Sequence, residues 1–231
     1  MIDFSLFGVH VKIRPTIWVS LAVMAYLLTG EEQGMAGMSL FVVAAFLCIF
    51  AHEMGHALVG RWLGGGRPVV ELEWLGGICS NNISKLNRLG AILTTAAGPL
   101  TSLALVLPVL GVLLLAGCPF SLAYQQMMDM VVNIRPQVLL DMYPPMMVLF
   151  IAQVLQVSVW WSVLNLLPIF PLDGGIIMNN LMHRPRLMHI VSMFVAGGLA
   201  LMAFAVGLYA MVVILLFLIL YNYKGQQESP Y

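Results

Sequence analysis

The stretch SLFVVAAFLCIFAHEMGHALVGRWL, residues 39–63, decides how the rest of the chain is read. As a helix rising 1.5 Å per residue it reaches roughly 37 Å, more than the roughly 30 Å of hydrocarbon in a bilayer. Its first half carries no charge, and then come His52, Glu53 and His56. Three ionisable residues inside an apolar span are expensive in lipid and as a rule functional. Histidines four apart share one helical face, so both imidazoles can reach one ion. The glutamate beside the first can reach water at that ion. With this chain's own His and Glu frequencies, chance gives an expected count of roughly 0.003 for HExxH, so coincidence is a poor explanation.

Outward from that stretch, the whole chain is as apolar as a membrane setting requires. Hydrophobic residues make up 61% of the 231 and charged residues only 9%, against about 25% charged in soluble domains. Ten basic and ten acidic residues balance, with no basic stripe, so no nucleic-acid partner is expected. Cys48, Cys79 and Cys118 fit neither a CxxC metal site nor an even-numbered disulfide framework.

The predicted architecture is an α-helical polytopic membrane protein with about six spans, at 16–29, 39–63, 89–116, 145–166, 187–205 and 208–223. The first is short and follows Pro15, a residue suited to a helix start. The third is interrupted by Gly98-Pro99 and Pro108. The last two divide a block, Leu187 to Tyr223, that would reach ~55 Å as one helix; the break is placed near Ala205-Val206-Gly207. Loops facing the cytoplasm are enriched in Lys and Arg. With both termini cytoplasmic, Lys12, Arg14, Arg61, Arg67, Lys85, Arg88, Arg184, Arg186 and Lys224 fall on one side and Arg135 alone on the other. A cleaved signal peptide is not expected, since no small-residue cleavage site follows Leu28.

Two segments read as strands. Val9, Val11 and Ile13 alternate with His10, Lys12 and Arg14, and Val70, Leu72 and Trp74 alternate with Glu71 and Glu73 ahead of Gly76-Gly77. A period of two turns one apolar face towards the helices. Strand backbone is tolerated at membrane depth only where protein or a wet cavity satisfies its hydrogen bonds. A small cytoplasm-side β-sheet or re-entrant hairpin near the histidines is therefore expected.

Zinc in catalytic sites is normally held by three protein ligands, so His52 and His56 need a third. Candidates are Asp173, Glu71, Glu73, His183 and His189. Asp173 is preferred: it closes Asn165-Leu166-Leu167-Pro168-Ile169-Phe170-Pro171-Leu172-Asp173-Gly174-Gly175, where two prolines and two glycines break the helix and let a carboxylate turn inward. Glu71 and Glu73 alternate as a solvated strand face would, and His183 sits beside Arg184 and Arg186.

With these two motifs together the chain resembles the site-2 proteases, polytopic intramembrane zinc metalloproteases of regulated intramembrane proteolysis. HEMGH is similar to the family's HExxH, and LNLLPIFPLDGG to its second signature. The resemblance implies that His52, His56 and Asp173 bind Zn2+, that Glu53 is the general base, and that Asn165 holds substrate or donates to an oxyanion. Leu75-Gly76-Gly77-Ile78 is similar to the family's Gly-Gly hairpin, thought to hold substrate as an added strand. Ala97-Gly98-Pro99-Leu100 resembles its AGP segment, and Ser102 stands where members commonly have asparagine. The resemblance is to the compact prokaryotic type, so one membrane-embedded protease domain over 1–231, without a PDZ or CBS domain, is expected in the cytoplasmic membrane.

The expected substrate is a single-span membrane protein, unwound locally so that a carbonyl becomes accessible. Residues Val70 and Leu72 of the second strand, with Gly76 and Gly77, are expected to pair with it. Gln153 and Gln156 are expected to bond between helices. The segment 118–143 is expected to lie flat on the outer surface and is a candidate site for a regulatory membrane partner. The tail from Lys224 to Tyr231 is expected to be disordered. Two alternatives are a zinc-binding membrane transporter or non-hydrolytic binding protein, which would not need Glu53 between its ligands, and a zinc protease of another architecture, such as a prenyl-protein peptidase, which leaves the LDGG segment unexplained.

Overall fold

A computed structural model describes residues 1–29, 34–74, 76–81, 86–115, 117–132, 144–182 and 184–228. Leu75, Lys85, Arg135, His183 and the stretch 133–143 lie outside the described residues. The chain divides into two compact units, residues 1–86 with 97–162, and residues 87–96 with 163–231.

The first unit opens with a hairpin, β1 (Ile2–Leu6) and β2 (Val9–Ile13), followed by helices α1 (Thr16–Thr29) and α2 (Gly34–Trp62) and a second hairpin, β3 (Val69–Glu73) and β4 (Gly76–Ser80). The four strands form one sheet in the order β1-β2-β3-β4, with β2 and β3 parallel and the outer pairs antiparallel. Parallel neighbours need a long crossover, and the α1–α2 pair is that crossover. The alternation seen in the sequence is met at five positions: Val9, Val11, Ile13, Val70 and Leu72 are buried and pack with Ile17, Leu21 and Ile49 of the two helices. Trp74 departs from that alternation. It lies in the turn after β3, at a positive φ of 47°, and is exposed.

Helix α3 (Arg88–Ala104) is followed by α4 (Val106–Leu115), α5 (Phe120–Val132) and α6 (Pro145–Asn165). The predicted third span breaks at Leu105 because the ring of Pro108 would collide with the carbonyl of residue 104 in a continuous helix. The two glutamines of α6 act between helices: Gln153 Nε2 donates to the Gly37 carbonyl at 3.1 Å, and Gln156 Nε2 to the Met130 carbonyl at 3.1 Å.

The second unit holds the start of α3, capped by Asn87, whose Oδ1 accepts the Gly90 N–H at 2.7 Å. It continues with α7 (Asp173–Met182), α8 (Pro185–Ala205) and α9 (Tyr209–Glu228). Helices α8 and α9 form an antiparallel pair packed through Ala196, Ala200, Ala203 and Leu215. They part where expected, at Val206 to Leu208, with Gly207 at φ 80° and the Leu208 N–H bonded to the Ala203 carbonyl. The tail departs from expectation: Lys224 to Glu228 continue α9, because Gly225 packs against the ring of His189 and keeps the last turns in contact with α8. Four segments, Gly34–Trp62, Arg88–Leu115, Pro145–Asn165 and Pro185–Ala205, are long and apolar enough to cross a membrane, and Thr16–Thr29 is a shorter apolar helix.

Candidate metal centre

His52, Glu53 and His56 lie in the most buried part of α2, with exposures of 2%, 6% and 8%. One helical turn brings the two imidazole Nε2 atoms to 3.1 Å from one another. Two nitrogens bound at 2.0–2.1 Å to one tetrahedral zinc sit roughly 3.3 Å apart, so the pair fits a shared ion as it stands.

Helix α3 forms the bed on which these rings rest. Gly98 and Ser102, themselves four apart, oppose His56 and His52. A Cβ at position 98 would overlap the His56 ring, so only glycine admits it there. Ser102 is fully buried and donates to the Gly98 carbonyl at 3.4 Å, while its oxygen lies 3.2 Å from His52 Nδ1. With its proton directed to that carbonyl, the hydroxyl accepts from Nδ1–H. The tautomer this selects leaves the Nε2 lone pair for a metal. The helices can come this close because Gly55 faces Thr101 and the Ala97 carbonyl without a side chain. Below the site, Asn81 Nδ2 donates to the His56 carbonyl at 2.9 Å and ties the end of the second hairpin to α2.

The second hairpin reaches Glu53. A Cβ on Gly77 would strike the Glu53 side chain and Leu72, and Gly76 faces the Trp161 ring. The paired glycines thus let strand backbone lie against the glutamate. Val70 and Leu72 require a correction. Strand β3 is paired on both sides, to β2 and to β4, and both side chains are buried in the core. It has no backbone edge left for a substrate. The edge strand on this side of the sheet is β4, Gly76–Ser80.

In the second unit, Asn165 is the last residue of α6 and half-buried, and Asp173 is the first of α7 and buried. A carboxylate at a helix N-terminus is favoured by the helix dipole. Gly174 and Gly175 explain the DGG sequence: a Cβ on either would overlap backbone of residues 166–170, against which α7 starts. Of the other third-ligand candidates, Glu71 and Glu73 both pair with Arg14, at 2.5 Å and 3.0 Å. Hydrogen bonding to Glu71, then the charges of both carboxylates, raise the Arg14 pKa above its ordinary value. His189 is buried and bonded through Nδ1 to Asn222 at 2.9 Å.

Sequence reasoning passed over β1, the contact of Ser102 with His52, and Asn222. The last had a usable signal, since an asparagine inside an apolar helix is itself a costly polar group in lipid.

Fold and site together define a class: a helical protein with four segments long and apolar enough to cross a membrane, carrying an HExxH turn beside a small mixed sheet. No family model matches the chain. It is similar to a zinc metalloprotease of Methanocaldococcus jannaschii, 26% identical over 235 residues, a match that covers 98% of this chain but 59% of that relative's length. A solved site-2 protease from the same organism shares its fold, with a TM-score of 0.52 and 18% identity over 98% of this chain and 94% of that one. Both likenesses extend over nearly the whole of this chain.

Proposed function

We propose that the protein is an intramembrane zinc endopeptidase that cleaves transmembrane or membrane-associated proteins, with His52, His56 and Asp173 holding the metal and Glu53 as general base. The observation that carries this reading is the pair of Nε2 atoms 3.1 Å apart with Glu53 buried between them in sequence on an apolar helix. Two imidazoles and one carboxylate suit a three-ligand zinc site with a fourth position for water. Zinc bound there would supply a Lewis acid for the scissile carbonyl and water whose pKa is lowered to about 7.

The chain's own residues do the rest. Ser102 keeps His52 in the ligating tautomer. Glu53 takes the proton from the attacking water and returns it to the leaving amine. Asn165 donates its amide to the developing oxyanion. The substrate, locally unwound, adds to the outer edge of β4, where Gly76 and Gly77 allow close approach of its backbone to Glu53; main-chain hydrogen bonds replace those lost from the substrate helix. In this reading the chain crosses the membrane six times, with α1 and α9 joining the four longer segments and both termini cytoplasmic.

The test is co-expression with single-span substrates. Wild type should cleave and Glu53→Gln should not, while both retain zinc. Full cleavage by Glu53→Gln would refute the hydrolytic role, and zinc retention without cleavage by either protein would favour a transporter or binding protein.

A further inference from the structure

Phe170, three residues before Asp173, is held through both its amide N–H and its carbonyl by side chains of α8 and α9. Ser192 Oγ accepts the Phe170 N–H at 2.9 Å and donates to the Met188 carbonyl at 2.9 Å. Asn222 Nδ2 donates to the Phe170 carbonyl at 2.6 Å and to the Leu218 carbonyl at 2.8 Å. Asn222 Oδ1 is engaged in turn by His189 Nδ1 at 2.9 Å. Because that amide oxygen can only accept, Nδ1 carries the proton, and the histidine fixes which way the asparagine faces. Ser192 and Asn222 are fully buried and His189 nearly so. The Phe170 ring meets His189 edge-on, centroids 5.4 Å apart, and stacks with Tyr221.

Polar side chains within apolar helices are expensive and persist where they have a task. Helix pairing alone is not that task here, since Ser192 and Asn222 both direct bonds out of the helix pair and onto one residue of the connecting loop. From Phe170 the path to Asp173 is short, and it is braced by the Leu172 N–H bonded to the Ile169 carbonyl at 2.8 Å.

We propose that Asn222, Ser192 and His189 are positioning residues for the metal: they clamp Phe170 and thereby set where the Asp173 carboxylate stands. The clamp rests on the reading of Asp173 as a zinc ligand. It acts on a ligand at the junction of a loop with α7, where the irregular chain before it has no helical period to place it, and groups of this supporting kind are typically worth 10- to 100-fold in metal affinity.

The test is zinc affinity of the full chain in detergent, measured by chelator competition, for Asp173→Ala, Asn222→Leu, Ser192→Ala and the double variant Asn222→Leu/Asp173→Ala. Asn222→Leu should bind zinc at least tenfold more weakly than wild type, and Ser192→Ala, which changes one buried hydroxyl and leaves packing otherwise intact, a few-fold more weakly. The double variant should bind no more weakly than Asp173→Ala alone, because a clamp that acts through that carboxylate has nothing left to act on. Wild-type affinity in both Asn222→Leu and Ser192→Ala, with Asp173→Ala impaired, would overturn the clamp and leave the ligand reading standing. So would additive losses in the double variant, which mark general loosening. If Asn222→Leu does not fold, Ser192→Ala decides alone. Wild-type affinity in Asp173→Ala would remove the ligand reading, and the clamp with it.

Discussion

The α2 turn and the loop before α7 place their metal-ligand candidates by opposite means. His52 and His56 inherit their spacing from the helix itself, so the surroundings need only admit and orient the rings: Gly98 leaves room and Ser102 selects a tautomer. Asp173 follows seven residues of irregular chain, and its place depends on contacts that regular structure does not supply, from glycines packed on backbone to the side chains that grip Phe170. The difference teaches that a helical ligand pair is robust to its neighbours, whereas a loop ligand is only as well placed as the groups that hold the loop.

The sharpest way to break that comparison is to remove ligands. His56→Ala should lose more zinc affinity than the 10- to 100-fold typical of supporting groups, and Asp173→Ala should do likewise; equilibrium dialysis with metal quantification reads both. Next in size is Gly77→Leu, which would drive a side chain into Glu53. Cleavage should fall about 100-fold or more, the scale of a displaced general base, while zinc content holds; loss of zinc instead would mean that the hairpin supports the histidines. Ser102→Ala should weaken zinc binding about tenfold by freeing His52 Nδ1, and Ser102→Thr, which keeps the hydroxyl, should bind more tightly than Ser102→Ala. The smallest effect is expected from Arg14→Gln. That ion pair is largely solvated, so thermal melting and cleavage should both stay near wild type.

How much of this could be read beforehand follows the same division. The HExxH turn, the helix break at Val206 to Leu208 and the buried rows of β2 and β3 are local patterns of period 3.6 or 2, and each is legible in a short window of sequence. The pairing of β3 is not legible in this way, because alternation shows which face is buried and says nothing of which backbone edges are taken; β1 and β4, less regular in pattern, occupy the sheet's two edges. The role of Ser102 is not legible in the sequence, since its contact with His52 spans fifty residues and two helices. Asn222 lies further still from the loop it grips, 52 residues from Phe170.

The most direct measurement of the central claim is cleavage of a single-span substrate in proteoliposomes by wild type and Glu53→Gln loaded with equal zinc. The account predicts product from wild type, loss of about 100-fold or more in Glu53→Gln, and abolition of wild-type cleavage by a zinc chelator with recovery on adding zinc back. Undiminished cleavage by zinc-loaded Glu53→Gln, or by chelator-stripped wild type, would contradict it.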